Sequence, residues 1–292
     1  MAEVATSATS DQLLVVIDPV ARRTDGESVR IAKDVLSGGA AGTKVCLPDG
    51  PEEFDRALAR RGARRPVVVG DDRALIRAVG LLHRRRELAG CVLSLVPVGG
   101  ALSLARSLGV PTGAVGAARA VLEGAERRMD LLVDDSDGVV LGSLRIPPVG
   151  ATVREAADTA RPWLRTCHSL VRTLVPARPS RTVSAPEARH ARLRVEVDGH
   201  TLVDLHQPVE AVSVVPAAAG TARVEVRPLS VGAEASPLLA EGRTVTVSGA
   251  HFRYRADSLV SGPVRTRTWE VREGAWGLTV PTAQGTGLFR GP

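Results

Sequence analysis

Two apolar runs set the frame of this chain. Residues 66–69 and 91–98 each end in a glycine-containing turn, and each turn leads into apolar residues at helical spacing. That is the strand–turn–helix unit of an α/β sheet, where ligands sit at the turns beyond the carboxyl ends of the strands. The same grammar starts earlier. Residues 13–17 (LLVVI) form a continuous β-branched run of the kind buried in a parallel sheet, stopped by Asp18-Pro19. The spacing then predicts a helix over 27–36, a strand over 43–47 and a short helix over 51–61 that opens on Pro51, a residue tolerated in a first helical turn. Helices over 73–86, 102–108 and 112–123 and a strand over 129–133 follow. The alternation predicts an open, mostly parallel sheet with helices on both faces.

From about residue 139 the pattern changes. Residues 151–174 read as mainly helical, interrupted by Pro162, and the Pro/Arg-rich stretch 175–189 reads as a loop. Strand patterns follow at 193–197, 201–205, 211–215, 222–226, 244–247, 265–271 and 276–280, with Asp198-Gly199 as a hairpin turn between the first two. Short strands without intervening helices predict a β-sandwich. The expected organisation is therefore an α/β domain over 13–138 and a β-sandwich domain with a leading helical segment over 139–283. Residues 1–12 and 284–292 read as loose tails.

Composition sharpens this picture in a few places. Only 2% of the 292 residues are aromatic, so the cores must be built from Val, Leu and Ala. The net charge of +6 comes almost wholly from Arg, but Asp and Glu are interleaved with it nearly everywhere. That interleaving reads as compositional bias, and no nucleic-acid partner is expected. Cys46, Cys91 and Cys167 form no CxxC pair and read as buried thiols in a reducing compartment. The first residues carry no signal-peptide pattern, and no apolar run approaches the roughly 20 residues that span a bilayer. A cytoplasmic protein is expected, peripheral at the membrane if it meets lipid. The six histidines show no metal-ligand spacing, and no metal site is expected from them. The acidic run Asp134-Asp135-Ser136-Asp137-Gly138 reads as a hairpin turn, the basic run from His83 to Arg86 as a solvated helix end, and Trp269 and Trp276 as core.

The order of these features resembles the diacylglycerol kinase catalytic-domain family, including soluble bacterial lipid kinases of NAD kinase-like fold. The family's Asn-Pro-x-Ser-Gly turn is met by VVIDPVAR at 15–22, its GGDGT motif by GDDRA at 70–74, and its PLGTGNDLAR-type segment by PVGGALSLAR at 97–106. Its Asp-Gly-Glu turn is met by ADSLV at 256–260, before WEVREGAWGLTVP. The resemblance implies ATP-dependent phosphoryl transfer to a lipid hydroxyl, with ATP and Mg²⁺ as cofactors and a lipid or membrane surface as partner.

The chemical positions match less well than the hydrophobic frame. In GDDRA only Gly70 and Asp72 fit; Asp71, Arg73 and Ala74 replace Gly, Gly and Thr. A carboxylate beside a triphosphate is repulsive, although Arg73 can pair with phosphate. In PVGGALSLAR, Gly99 is kept but Leu102 and Ser103 replace Asn and Asp. Asp18 replaces the first turn's Asn. Asp257 matches the Asp of the last turn and, by resemblance, is the general base for a lipid hydroxyl; its partner Glu is Leu259. The candidate site is thus catalytic Asp257 with Asp18, Gly70, Asp72, Arg73 and Gly99 as cofactor contacts. Two functions follow. One is a diacylglycerol kinase-like enzyme with weakened or lost activity; the other is a non-catalytic pseudokinase that binds lipid or regulates.

Overall fold

The computed structural model describes residues 12–148, 191–217, 219–229 and 236–282. The helix read over 151–174, the loop over 175–189, and the tails up to residue 11 and from 284 lie outside the described residues.

The amino-terminal half alternates strictly. Its elements are β1 (Gln12–Ile17), α1 (Pro19–Thr24), α2 (Gly26–Gly39), β2 (Gly42–Cys46), α3 (Pro51–Ala59), β3 (Arg65–Gly70), α4 (Asp72–Arg84), β4 (Val92–Pro97), α5 (Ser103–Ser107) and α6 (Ala114–Glu123). The strands pair in parallel in the order β2-β1-β3-β4. Side chains alternate across each strand. Leu13, Val15, Ile17, Val67 and Val69 therefore pack under α2 and α6, while Leu14, Val16 and Val68 pack under α3 and α4 with Phe54, Leu58, Leu75 and Leu82. Both faces are covered, which is why these runs are continuously apolar.

One helix escapes the sequence pattern. Asp18-Pro19 does not merely stop β1. Asp18 is the N-cap of α1, its Oδ1 accepting from the Val20 amide at 2.8 Å, and Pro19 opens that helix. Residues 20–24 have no apolar periodicity to announce it, so the cap and the Pro carry the start.

The second half is built from strands: β5 (Ala125–Asp134), β6 (Val139–Val140), β7 (Leu144–Ile146), β8 (Ala191–Val197), β9 (His200–Val203), β10 (Pro208–Pro216), β11 (Ala222–Pro228), β12 (Leu238–Gly242), β13 (Thr244–Ala256) and β14 (Leu259–Val280). The Asp198-Gly199 turn joins β8 to β9, with φ of 50° and 79° at its two residues, the left-handed pair a tight hairpin requires. The ladders join the strands into a closed wrap, because β7, β10, β8 and β13 pair in a ring. Val195, Val212, Val224, Val245 and Val247 fill it.

β14 does not stay in this half. Its 22 residues pair with β13 and with β5, and at Gly277 and Leu278 it runs parallel beside β4. Trp269 lies in the strand-built core and Trp276 in the core of the parallel sheet, both fully buried as expected. Cys91 is buried too, but Cys46 is only half-buried, because β2 is the edge strand of the sheet. No helix among the described residues is long and apolar enough to cross a membrane.

Candidate functional site

The turn after β3 is built around two aspartates with separate duties. Asp71 is the N-cap of α4, and its Oδ1 accepts from the amides of Arg73 at 3.0 Å and Ala74 at 3.2 Å. Asp72 turns inward and is 2% exposed. Its Oδ2 accepts from the Leu104 amide at 2.9 Å and the Ser103 hydroxyl at 3.1 Å, and its Oδ1 from the Ala105 amide at 3.1 Å. The Asp72 amide donates to the Ala101 carbonyl at 2.9 Å. Asp72 thus caps α5 and ties the turn after β3 to the turn after β4.

Gly70 and Gly99 keep these turns close. A Cβ on Gly70 would stand 2.7 Å from the Ala74 Cβ and 3.0 Å from the Asp18 Cβ. Gly99 has φ +125° and faces the Asp71 Cβ, a backbone region that side-chain-bearing residues rarely enter.

Asp257 ends β13 with φ +51°. Its carboxylate fills a concave row of three consecutive amides, accepting from Leu141, Gly142 and Ser143, each at 2.8 Å. Its own amide returns a bond to the Ser143 carbonyl at 2.7 Å. Burial pushes the Asp257 carboxyl above the usual carboxylate range; the three amides pull it back, and the Asp72 charge adds to the rise.

A cavity of about 450 Å³ opens between the two halves, with Asp72, Arg73 and Asp257 on its walls. The structure therefore brings these three candidates together. It does not bring in the other three. Asp18, buried beneath the sheet end with Arg77 Nη1 at 3.9 Å, serves α1, and Gly70 and Gly99 serve the packing of the turns. Sequence reasoning missed Arg255, which shares the cavity wall with Ser258. It sits in Phe-Arg-Tyr-Arg, where alternation alone cannot separate it from Arg253. Arg73 also borders a second cavity, of about 350 Å³, lined by Arg77, Arg84 and Tyr254.

The acidic run is the hairpin turn its composition announced. Asp134 Oδ1 accepts from the Ser136 amide and hydroxyl at 2.8 and 2.7 Å and from the Gly138 amide at 2.8 Å. Among the described residues no three His, Cys, Asp or Glu side chains are grouped to hold a metal ion.

The fold is thus a parallel sheet with helices on both faces, joined through a shared strand to a strand-built half, with a cleft between them. Solved structures share it. A putative diacylglycerol kinase from Bacillus anthracis str. Sterne superposes with a TM-score of 0.67 at 14% identity over 92% of this chain and 97% of that one. A second structure of a putative diacylglycerol kinase from the same source gives 0.68 at 13% over 96% and 99%. A third, of a diacylglycerol kinase from that source, gives 0.65 at 13% over 94% and 98%. No family model matches the chain, and no curated protein does.

Proposed function

We propose that this protein keeps a lipid-kinase scaffold as a binding module and does not transfer phosphate from ATP. One observation carries this reading. Five amides at the two turns are already taken by the chain's own groups. Those of Arg73 and Ala74 go to Asp71, that of Asp72 to Ala101, and those of Leu104 and Ala105 to Asp72. A helix N-terminus attracts an anion through free N–H groups and its dipole; here a carboxylate supplies the anion. Another anion bound through these N–H groups would have to displace that carboxylate from them. The residues present therefore do not fit a nucleotide triphosphate.

The second reading, a weakened lipid kinase, draws its support from one feature. Asp257 shares the cleft with Asp72, and its carboxyl is shifted toward the range of a general base. Two measurements on the full chain separate the readings. A thermal-shift titration with Mg-ATP is expected to stay flat to millimolar nucleotide, whereas a competent site would gain about 2.7 kcal/mol at a hundredfold excess over Kd. Labelled ATP with diacylglycerol vesicles is expected to give no labelled lipid. Saturable stabilisation together with labelled lipid that disappears in Asp257→Asn would establish the kinase instead.

A further inference from the structure

Among the described residues, two polar atoms on residues of the cleft have no hydrogen-bond partner. The Arg255 Nε and the Ser258 Oγ are buried without a hydrogen-bond partner, and both residues line the cavity. Buried polar atoms are nearly always paired, and these two belong to neighbouring residues of one cavity wall. A second observation points the same way. Arg255 stands directly opposite Arg145 in the β13–β7 ladder, and like charges so placed repel. Neither forms an ion pair with a described carboxylate, and neither does Arg73, which lines the same cavity as Arg255.

The two carboxylates of the cavity do not cancel these cations by direct contact. Asp72 and Asp257 each already accept three hydrogen bonds from donors of the fold, five of the six from backbone amides. Arg73, Arg255 and Ser258 then line a cavity of about 450 Å³, room enough for a phosphate ester. Val215 and Leu104 add apolar lining. Just past Ser258, Leu259 and Val260 are 47% and 39% exposed, an apolar step next to the cationic wall.

We infer that the cleft binds a phosphomonoester, its dianion held by Arg73 and Arg255 with Ser258 donating a hydrogen bond, and its apolar remainder lying toward Val215, Leu104 and Leu259. This names the ligand class of the binding module proposed above and rests on that reading. Guanidinium groups pair with phosphate oxygens through two N–H bonds at once, and two of them match two negative charges. The phosphate can be carried by a lipid headgroup or by a soluble ester.

The test uses the full chain and two probes: calorimetric titration with glycerol 3-phosphate, and co-sedimentation with phosphatidylcholine vesicles containing phosphatidate or, at matched charge, phosphatidylserine. Saturable binding of glycerol 3-phosphate identifies a soluble ester as sufficient. Binding of phosphatidate vesicles alone, above phosphatidylserine vesicles, identifies a lipid. In either case Arg255→Gln and Arg73→Gln are each expected to weaken binding about tenfold or more, as loss of a charge-assisted pair does, and Ser258→Ala by less. Arg73 is exposed on the first turn of α4, so its variant carries the test even if Arg255→Gln unfolds. Silence of both probes at millimolar concentration overturns the site. So does binding that is equal for the two anionic vesicles and indifferent to Arg73→Gln. Saturable Mg-ATP binding would remove the non-nucleotide reading while leaving a demonstrated phosphomonoester site in place. Silence of the phosphomonoester probes together with silence of Mg-ATP would remove only the site.

Discussion

Replacing Asp72 by Ala tests whether this acid is a structural anchor or a group held in readiness for a ligand. Its side chain is 2% exposed and satisfies the Leu104 and Ala105 amides and the Ser103 hydroxyl. An orphaned buried donor costs about 1–3 kcal/mol. The adjoining cavity lets water reach part of the gap, which favours the low end, and losing a buried charge returns some desolvation energy. The balance is a loss of about 2–4 kcal/mol, or roughly 4–16 °C in Tm at about 2–4 °C per kcal/mol for a chain of this size. Asp72→Asn keeps one accepting oxygen but turns an NH₂ toward an N–H or O–H donor, so about half the loss is expected. Urea unfolding followed by fluorescence of Trp269 and Trp276, one in each core, reads the change as a lower midpoint at constant slope. A residue kept for ligand at the expense of stability behaves in the opposite way, since its removal stabilises. An Asp72→Ala protein as stable as the parent, or more so, would refute the anchoring argument.

Two other outcomes follow from local geometry. Gly70→Ala places a methyl 2.7 Å from one Cβ and 3.0 Å from another, neither at the end of a flexible side chain; a loss of roughly 1–3 kcal/mol is expected from such overpacking, and an unchanged urea midpoint would contradict it. Burial raises the Asp134 carboxyl, but hydrogen bonds from Ser136 and Gly138 and the charge of Arg267 outweigh this and hold it below its ordinary value. A lowered acid stabilises the folded state above the unfolded value of about 3.9 and loses that contribution as pH falls through the lowered value. Asp134→Asn should therefore flatten the acid limb of Tm against pH below about pH 4, and parallel curves for parent and variant would contradict it.

The strand–helix alternation of the first half was legible because each buried strand is a continuous apolar run and each helix has an apolar stripe, signals local to a few turns of chain. Long-range pairing leaves no such trace. Nothing in residues 276–280 announces that Gly277 and Leu278 will lie beside Val92 and Leu93. The two aspartates of GDDRA show the same limit at the site. Their type and spacing are compatible with repelling, binding or capping. Only the fold reveals that Asp71 caps its own helix while Asp72 caps another one, 31 to 33 residues away. Arg255 and Ser258 were hidden for a different reason. A side chain that lacks a partner is defined by what surrounds it, and that is assembled from β7, β13 and the turn before α5.

The 22 residues of β14 bear on how the cleft can work. One continuous ribbon is hydrogen-bonded into both bodies and drives a tryptophan into each, so they share a beam instead of swinging on a free joint. The width of the gap is then tied to that one ribbon.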